Sequence, residues 1–333
     1  MADPSTATTP APDTLLEVLG LSKSFGGRRG RAPGIRAVAD VGFTLRRGET
    51  LGLVGESGCG KSTLSRLILS LLDPDAGQVR IAGIDFTHAP EGRKRELRRR
   101  IQVVFQDALS SLNPRMTIGA NIAEPMRLQG LGDVALRRTE AGRLLRLVGL
   151  RPEHEDRYPH EFSGGQCQRI AIARALILQP EIIVFDEAVS ALDVSIRAQI
   201  LRLILDLQQQ FGLSYIFISH DLGVIKRICD RIAVMYLGQI VEIGPAESVC
   251  RAPRHPYTAA LLRAIPIADP RRMRVSDLGQ IDGDAVGAVK PGACPFEPRC
   301  PKRFDPCDKR RPALIDVTLG HQAACYLNEP DAR

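Results

Sequence analysis

The sequence lacks tryptophan, is poor in aromatic residues and contains no long apolar run. Only 5% of its 333 residues are aromatic. Its longest apolar stretches, such as residues 170–178, fall well short of the roughly 18 residues that a membrane-spanning helix needs. The first thirteen residues have neither a basic start nor an apolar segment, so we expect no secretory signal and a location inside the cell. Disulfide bonds are rare there, which argues against a disulfide framework among the eight cysteines.

The composition is that of an ordinary globular protein with a moderate excess of positive charge. Hydrophobic residues make up 44% of the chain and charged residues 25%, and the formal net charge is +7. The length predicts about two domains. One run, residues 93–100, carries six basic side chains. A nucleic-acid-binding surface would need interleaved aromatic residues and a recognisable binding module, and both are missing here, so we interpret the run as the solvated face of a helix.

Apolar strands alternate with helical segments over much of the chain. The continuous apolar runs 50–54, 101–105, 182–186 and 214–219 are typical of strands covered on both faces. Segments of helical period separate these runs, for instance residues 194–210. This alternation predicts an α/β domain with a largely parallel core sheet.

Three other regions depart from that pattern. Residues 1–13 are rich in Ala, Thr and Pro, and we expect a disordered N-terminal tail. Residues 107–165 contain no convincing strand and are interpreted as a helical insert. The composition shifts near residue 250, and residues 266–298 are rich in Pro, Gly and Asp. We therefore predict a small C-terminal module over residues 251–333.

The most specific motif is GESGCGKS at residues 55–62. It matches G-x-x-x-x-G-K-[ST], follows a strand and opens a helix, which is the context of a phosphate-binding loop. The glycines let backbone N–H groups point at phosphate oxygens, and the helix N-terminus adds a partial positive charge. Lys61 would reach the β- and γ-phosphates, and the Ser62 hydroxyl would ligate Mg²⁺. The residues predicted to bind the nucleotide are Gly55, Glu56, Ser57, Gly58, Cys59, Gly60, Lys61, Ser62 and Thr63.

A second motif is IIVFDE at residues 182–187, an apolar strand followed by two acidic residues. A strand that ends in this way places the carboxylates at its C-terminal edge, beside the phosphate-binding loop. We predict that Asp186 holds Mg²⁺, directly or through water. Glu187 follows it, and a carboxylate there is suited to polarise an attacking water.

Further motifs make a family resemblance specific. FSGGQ at residues 162–166 lies just before a helix and resembles the LSGGQ signature of ATP-binding-cassette (ABC) ATPases, with Phe in place of the usual Leu. Gln106 resembles the Q-loop glutamine of that family, SALD at residues 190–193 resembles its D-loop, and His220 resembles its switch histidine. The motifs occur in the family's order, and the resemblance covers roughly residues 15–250.

The resemblance implies a fold and an arrangement of domains. It implies an α/β, ABC-type P-loop ATPase domain over residues 14–250, with a mixed core sheet, an antiparallel β subdomain and a helical subdomain at 107–165. A small Cys-containing extension of the type found in oligopeptide transporters follows over residues 251–333.

The resemblance also implies a mechanism in which two such domains pair head to tail. ATP held by the phosphate-binding loop of one subunit would meet the signature motif of the other, so its binding residues include Ser163, Gly164, Gly165 and Gln166. Glu187 would orient or deprotonate the attacking water. His220 and Gln106 would sense the γ-phosphate and Mg²⁺, and Gln106 would join Ser62 and Asp186 as a magnesium ligand.

Two departures from the family pattern matter. Ala188 and Val189 follow the catalytic glutamate where the family usually has Pro-Thr. That difference alters the stiffness of the loop but removes no reacting group, so we expect hydrolysis to be retained. Phe25 is the best match for the aromatic residue that stacks on adenine, and a role in the core is the alternative interpretation of it.

Within the family, residues 219–225, 233–244 and 254–262 resemble ATPases of oligopeptide and dipeptide transporters, and His-Pro-Tyr at 255–257 is the most distinctive piece. That subfamily also includes nickel and glutathione importers. The resemblance implies a peripheral ATPase on the cytoplasmic face of the cell membrane that energises peptide uptake. Its partners would be a second, non-identical ATPase, two transmembrane permeases and a substrate-binding protein. Competing hypotheses are a soluble ABC ATPase that acts on nucleic acid and a redox sensor that no longer hydrolyses ATP.

Four cysteines lie near the C-terminus, in the pattern C-x5-C-x6-C-x17-C. They are Cys294, Cys300, Cys307 and Cys325. Four thiolates can hold an iron–sulfur cluster or a tetrahedral Zn²⁺, although the paired C-x-x-C hooks of zinc ribbons are missing. The resemblance to peptide-transporter ATPases implies a 4Fe-4S cluster, and zinc and unliganded thiols are the alternatives.

A further cysteine, Cys59, lies inside the phosphate-binding loop. Two interpretations of it are open. The helix N-terminus could lower the pKa of its thiol, or the residue simply fills a neutral position.

Overall fold

The computed structural model describes residues 13–26, 34–264, 290 and 292–329. Within these ranges, twelve strands form two sheets. The strands are Thr14–Phe25 (β1), Ile35–Arg46 (β2), Thr50–Val54 (β3), Ala76–Ile81 (β4), Ile84–Asp85 (β5), Ile101–Val104 (β6), Ile182–Asp186 (β7), Ser214–Ser219 (β8), Arg231–Tyr236 (β9), Gln239–Pro245 (β10), Ile315–Thr318 (β11) and His321–Ala323 (β12).

Helices connect and cover these strands. The α-helices of the described ranges are Lys61–Ile68 (α1), Glu91–Arg100 (α2), Ala108–Ser111 (α3), Ile118–Leu128 (α4), Val134–Leu147 (α5), Gly164–Leu176 (α6), Val194–Phe211 (α7), Leu222–Ile228 (α8), Ala246–Arg251 (α9) and Pro256–Arg263 (α10).

The larger sheet has the strand order β11-β12-β10-β9-β3-β8-β7-β6. Strands β9, β3, β8, β7 and β6 pair in parallel, and β10, β12 and β11 continue the sheet antiparallel. Every residue of β3 and β8 is buried, which explains why these strands read as continuous apolar runs. The predicted mixed core sheet is confirmed.

The smaller sheet has the order β2-β1-β4-β5 and is antiparallel throughout. In β2, the side chains of Val41, Phe43 and Leu45 are buried and those between them are more exposed, as expected for a sheet with one covered face. Its core includes Leu64 and Leu67 of α1, which join this sheet to the larger one. The predicted antiparallel β subdomain is therefore confirmed.

Residues 107–163 fold into α3, α4 and α5 with short 3-10 helices, and α6 begins at Gly164, so the predicted insert at 107–165 contains no strand. The side chain of Thr117 caps α4 and that of Asp133 caps α5. Ile118, Ile122 and Leu145 are buried in a core that α6 shares. The basic run 93–100 lies in α2, where Leu97 alone is buried, so its charges lie on the outer face of a helix.

Residues 292–329 pack directly on the core sheet, because β12 pairs with β10 and brings β11 with it. The carboxylate of Glu242 on β10 is fully buried, and its Oε1 lies 2.8 Å from Nε2 of His321 on β12. The same carboxylate accepts hydrogen bonds from the backbone N–H groups of Arg254 and His255, at 2.8 and 2.9 Å. A buried charge is tolerated when it is paired and hydrogen-bonded in this way.

Candidate functional site

Three parallel strands bring the predicted catalytic motifs to one edge of the core sheet. In register, Val54 at the end of β3 is beside Ser219 at the end of β8, and Asp186 at the end of β7 is beside Ile218. The phosphate-binding loop follows the end of β3, and His220 follows the end of β8. The two carboxylates lie at the end of β7, Asp186 as its last residue and Glu187 directly after it. Ligands of α/β sheets commonly bind at this carboxyl edge.

The phosphate-binding loop connects β3 to α1 and depends on glycine. Gly60 has φ 109°, and a Cβ added there would lie 2.1 Å from the carbonyl oxygen of Ala37. Gly58 has φ 77°, also in the left-handed region. Lys61 folds back into the loop, where its Nζ donates hydrogen bonds to the carbonyl oxygens of Gly55 (2.8 Å) and Glu56 (2.9 Å). The lysine ammonium is thus held inside the loop.

A cavity of about 320 Å³ opens beside this loop. Seven of the residues predicted to bind the nucleotide line it, together with Glu187 of the second motif. Those seven are Ser57, Gly58, Cys59, Gly60, Lys61, Ser62 and Thr63. The start of β2 and the β9–β10 turn complete the wall through Ile35, Arg36, Ala37, Leu237 and Gly238. None of these five was identified from the sequence, because they come from elements distant in the chain.

Asp186 ends β7 and is half-buried. Burial raises the pKa of its carboxyl, and the positive charges of Arg66 and Lys61 oppose that shift. A carboxylate that is partly removed from water favours a bound cation. Together with Ser62 and Gln106 it would offer only oxygen ligands, which suits Mg²⁺. The residues present therefore fit a magnesium site.

Glu187 is linked to both other predicted catalytic residues. Its Oε2 lies 3.5 Å from Nδ1 of His220. Its carbonyl oxygen accepts a hydrogen bond from the hydroxyl of Ser190 at 2.8 Å, and that hydroxyl accepts one from Nε2 of Gln106 at 3.3 Å. Ser190 was recognised only as part of the SALD motif; the structure shows that it connects Gln106 to Glu187.

The signature residues lie outside the cavity at the phosphate-binding loop. Ser163 caps α6: its Oγ accepts from the N–H of Gln166 at 3.4 Å, and the Gln166 side chain accepts from the N–H of Ser163 at 3.0 Å. Ser163 and Gly164 are exposed. Gly165 lies against α7, where an added Cβ would be 2.5 Å from Ile196. The N-terminus of α6, with its anion-favouring charge, therefore faces outward.

Phe25 ends β1 and pairs with Ile35 of β2. Its side chain is 45% exposed, so the alternative that Phe25 belongs to the core is wrong. Phe25 does not line the cavity, whereas its partner Ile35 does. Phe25 is therefore paired with a residue of the cavity wall but is not itself part of that wall.

Cys59 is buried beside Lys61, whose Nζ lies 3.8 Å from the thiol sulfur. Burial raises the pKa of this thiol, and Lys61 only partly opposes the effect. The interpretation of a thiol with a lowered pKa is therefore wrong, because desolvation outweighs the charge and hydrogen bonds of Lys61. Cys59 is a neutral residue of the loop.

The four C-terminal cysteines line one small cavity. The N–H of Cys294 donates to the carbonyl oxygen of Cys307 at 2.9 Å. Burial raises the pKa of Cys294 to about 11 and that of Cys325 to about 12. In the described part of the chain, no group of three or more His, Cys, Asp or Glu side chains has the arrangement of a site for one metal ion.

Two polar contacts join the C-terminal region, residues 251–333, to the phosphate-binding loop. The hydroxyl of Tyr257, the last residue of the His-Pro-Tyr sequence, accepts a hydrogen bond from the N–H of Glu56 at 2.9 Å. The guanidinium of Arg299 donates to both carboxylate oxygens of Glu56. Sequence reasoning identified His-Pro-Tyr as distinctive but gave it no role, and it did not identify Arg299.

The helices that the structure describes include none that is both long enough and apolar enough to cross a bilayer.

Comparison with known families and proteins agrees with this geometry. The family model described as "ABC transporter" matches residues 38–190, and that described as "Oligopeptide/dipeptide transporter, C-terminal region" matches residues 241–307. The chain is 48% identical to the probable peptide ABC transporter ATP-binding protein y4tS of Sinorhizobium fredii, over 96% of this chain and 92% of that protein. It is 45% identical to the dipeptide transport ATP-binding protein DppF of Escherichia coli, over 98% of each chain.

Solved structures show the same fold. The ATP-binding cassette MJ0796, in its dimeric post-hydrolysis state bound to ADP and phosphate, matches with a TM-score of 0.63 and 28% identity. The match covers 70% of this chain and 99% of that one.

Proposed function

Because this chain belongs to the family of ABC transporter ATP-binding proteins and is an ATPase of that family, we propose that it energises the uptake of di- and oligopeptides through separate membrane permeases. One observation supports peptides as the transported substrate. The C-terminal region of oligopeptide and dipeptide transporters matches residues 241–307, in a chain whose relatives named for peptide transport align over nearly their full length.

The position of the signature motif supports a composite site. ATP bound at such a loop needs a second set of ligands, and the exposed N-terminus of α6 would supply that set to the ATP held by a partner subunit. Ser163 and Gly165 would then face the γ-phosphate held by the partner's loop. We propose that the partner is a second ATPase of the same family, non-identical to this chain.

Phosphoryl transfer requires positioning and charge neutralisation more than covalent chemistry. The backbone of residues 55–60 and Lys61 would bind the phosphates, and Glu187 would orient the attacking water and accept its proton. His220, 3.5 Å from Glu187, would hold that carboxylate and contact the γ-phosphate. Ser62, Asp186 and Gln106 would hold Mg²⁺, which when bound would supply positive charge for the phosphates.

The hydrogen bond from Gln106 to Ser190 would couple the helical subdomain to Glu187. Gln106 begins the segment that leads into α3 and the helical subdomain, and Ser190 holds the backbone of Glu187. We propose that two permeases dock on the helical subdomain at the cytoplasmic face of the membrane, and that a substrate-binding protein delivers the peptide. Closure of the ATPase pair on ATP would then be transmitted to the permeases.

An uptake experiment in cells that depend on this transporter tests the proposal. Cells carrying Glu187→Gln should lose uptake of a labelled dipeptide, and cells carrying Glu247→Gln should keep it, because Glu247 is an exposed residue of α9 whose side chain is 70% accessible. Permeases should co-purify with the tagged chain from membranes. Normal peptide uptake in the Glu187→Gln cells, with loss of nickel or glutathione uptake instead, would overturn the assignment to peptides.

We also propose that Cys294, Cys300, Cys307 and Cys325 hold a 4Fe-4S cluster. The support is that all four thiols line one cavity and that an all-cysteine ligand set suits such a cluster. A cluster of four irons is wider than one ion, so its ligands lie further apart than those of a single metal site. The cluster would supply no step of ATP hydrolysis.

Anaerobic purification tests the cluster. The protein should be brown, and chemical analysis should find iron and acid-labile sulfide. Cys300→Ser should lose both, whereas Cys250→Ser, a half-buried cysteine on α9, should keep them. Colourless wild-type protein without iron, or protein that contains zinc alone, would overturn the proposal.

A further inference from the structure

A partly buried ion pair joins the C-terminal segment to the phosphate-binding loop. Nη1 of Arg299 donates to Oε2 of Glu56 at 2.9 Å, and Nη2 donates to Oε1 at 3.0 Å. The Arg299 side chain is only 9% exposed and that of Glu56 is 28% exposed. A two-pronged pair between guanidinium and carboxylate fixes both direction and distance, and partial burial strengthens it. Arg299 therefore fixes the orientation of the Glu56 side chain.

All three polar groups of Glu56 are engaged, each by a different part of the molecule. Its carboxylate pairs with Arg299, its N–H donates to the hydroxyl of Tyr257 at 2.9 Å, and its carbonyl oxygen accepts from Nζ of Lys61 at 2.9 Å. Tyr257 itself is fully buried. One residue of the loop thus connects the phosphate-binding lysine to two residues that follow the ATPase domain in the chain.

Arg299 is positioned by the cysteine-bearing region. It ends the 3-10 helix Glu297–Arg299, which lies between Cys294 and Cys300. Phe296 precedes that turn, and its ring lies 5.4 Å from that of Tyr236 and 5.5 Å from that of Tyr257. The hydroxyl of Tyr236 also accepts from Nη1 of Arg299 at 3.3 Å. Any displacement of this packed region would move the guanidinium.

Charge explains why the pair matters for an anionic ligand. Without a partner, the carboxylate of Glu56 would place a negative charge in a loop that must bind phosphates, and it would compete with them for Lys61. The guanidinium neutralises that charge while keeping it away from the lysine. Like charges a few ångströms apart repel, and they repel more strongly where water is excluded.

We infer that Arg299 and Tyr257 are positioning residues for ATP binding, so that the affinity for ATP depends on the packed C-terminal segment 292–329. The inference uses the ATPase activity of the family and is independent of which solute is transported. It gives the His-Pro-Tyr sequence a role: His255 caps α10 by accepting from the N–H of Tyr257 at 3.0 Å, and Tyr257 holds the loop.

Calorimetric titration of the purified full-length chain with Mg·ATP tests the inference. Arg299→Gln should raise the Kd for ATP by roughly tenfold or more, since hydrogen bonds to charged groups are worth more than one tenfold step in an equilibrium. In the reconstituted transporter, the same variant should raise the KM for ATP and leave kcat near the wild-type value at saturation. The control is Arg303→Gln, which alters an exposed arginine of the same segment, paired with Glu297 at 3.4 Å.

The double variant Arg299→Gln/Glu56→Gln tests whether Arg299 acts by neutralising the charge of Glu56 or only by supporting the fold. It should recover most of the lost affinity, because no unpaired carboxylate remains in the loop. Tyr257→Phe, which removes one hydroxyl, should fold normally and bind ATP several-fold more weakly than wild type, even if Arg299→Gln unfolds. Wild-type affinity in Arg299→Gln, no recovery in the double variant, or wild-type affinity in Tyr257→Phe would each overturn the inference.

Discussion

The carboxylate of Glu187 lies 3.5 Å from Nδ1 of His220, although 32 residues separate them in the chain. They meet because β7 and β8 are parallel neighbours that end at the same edge. Glu187 has φ 51°, and its N–H donates to the carbonyl oxygen of Ile218 at 3.0 Å. A left-handed backbone costs a non-glycine residue roughly 1–2 kcal/mol, and such conformations cluster where function fixes a side chain.

Glu187→Gln should therefore separate ATP binding from ATP hydrolysis. The amide keeps the size of the side chain but cannot accept the proton of the attacking water. We expect kcat for hydrolysis to fall by roughly 10²- to 10⁴-fold, with an unchanged Kd for ATP. Steady-state phosphate release and calorimetric titration measure the two quantities. Glu247→Gln is the control, and a Glu187→Gln enzyme that hydrolyses ATP at the wild-type rate would refute the assigned role.

Ser163→Asp should slow hydrolysis without destabilising α6. Aspartate is as good an N-cap as serine, so the melting temperature should stay near that of the wild type. In a composite site its charge would face the γ-phosphate, and repulsion of about 1–4 kcal/mol corresponds to a loss of roughly five- to a thousandfold in rate. Thr117→Asp, at the N-cap of α4, should retain activity. Equal activity of the two variants would exclude the signature from the site.

Gly60→Ala should weaken ATP binding, because its Cβ would lie 2.1 Å from the carbonyl oxygen of Ala37 and the loop would have to move. A displacement of this kind near reacting groups can lower the reaction rate by roughly a hundredfold. Gly83→Ala is a matched control: its φ of 77° is also left-handed, but an added Cβ has nothing within 4 Å. We expect Gly83→Ala to lower stability slightly and leave the Kd for ATP unchanged. Similar Kd values for both variants would contradict this account of the loop.

Stability should decline between pH 6.5 and pH 4 because of His255. Burial lowers the pKa of this histidine to about 4, whereas an unfolded histidine has a pKa of about 6.5. The unfolded chain therefore binds more protons than the folded chain in this window. The contribution of neutral His255 to the free energy of unfolding is complete above pH 6.5 and is lost as the pH falls. It amounts to roughly 3 kcal/mol at most.

His255→Asn tests that dependence, since asparagine can cap α10 but does not titrate. The free energy of unfolding, measured by urea titration at several pH values, should fall less steeply in the variant between pH 6.5 and pH 4. Parallel curves for the two proteins would show that His255 does not carry the effect.

The sequence was sufficient for features that are encoded locally. GESGCGKS follows an apolar strand and opens a helix, and IIVFDE ends another strand, so both motifs carry their structural context within a few residues. The largely parallel core of the larger sheet was predicted from continuous apolar runs such as β3 and β8, which are buried on both faces. Its mixed character was implied only by the family resemblance.

Long-range contacts were beyond sequence reasoning. The pairing of β10 with β12 joins residues about eighty positions apart, and no local pattern records it. Nor does the local sequence distinguish Arg299 from the other basic residues. Its role becomes apparent only from its ion pair with Glu56. Cys59 was ambiguous because burial and the helix N-terminus shift a thiol pKa in opposite directions, and only the structure shows how deeply it is buried.

Reconstitution measures whether ATP hydrolysis by this chain drives peptide uptake. The purified complex of both ATPases and both permeases, placed in lipid vesicles, should hydrolyse ATP slowly by itself. Addition of the substrate-binding protein loaded with a dipeptide should raise that rate several-fold, and labelled peptide should accumulate only when ATP is present. A rate that does not respond to the loaded binding protein, with no transport of peptide, would contradict the account.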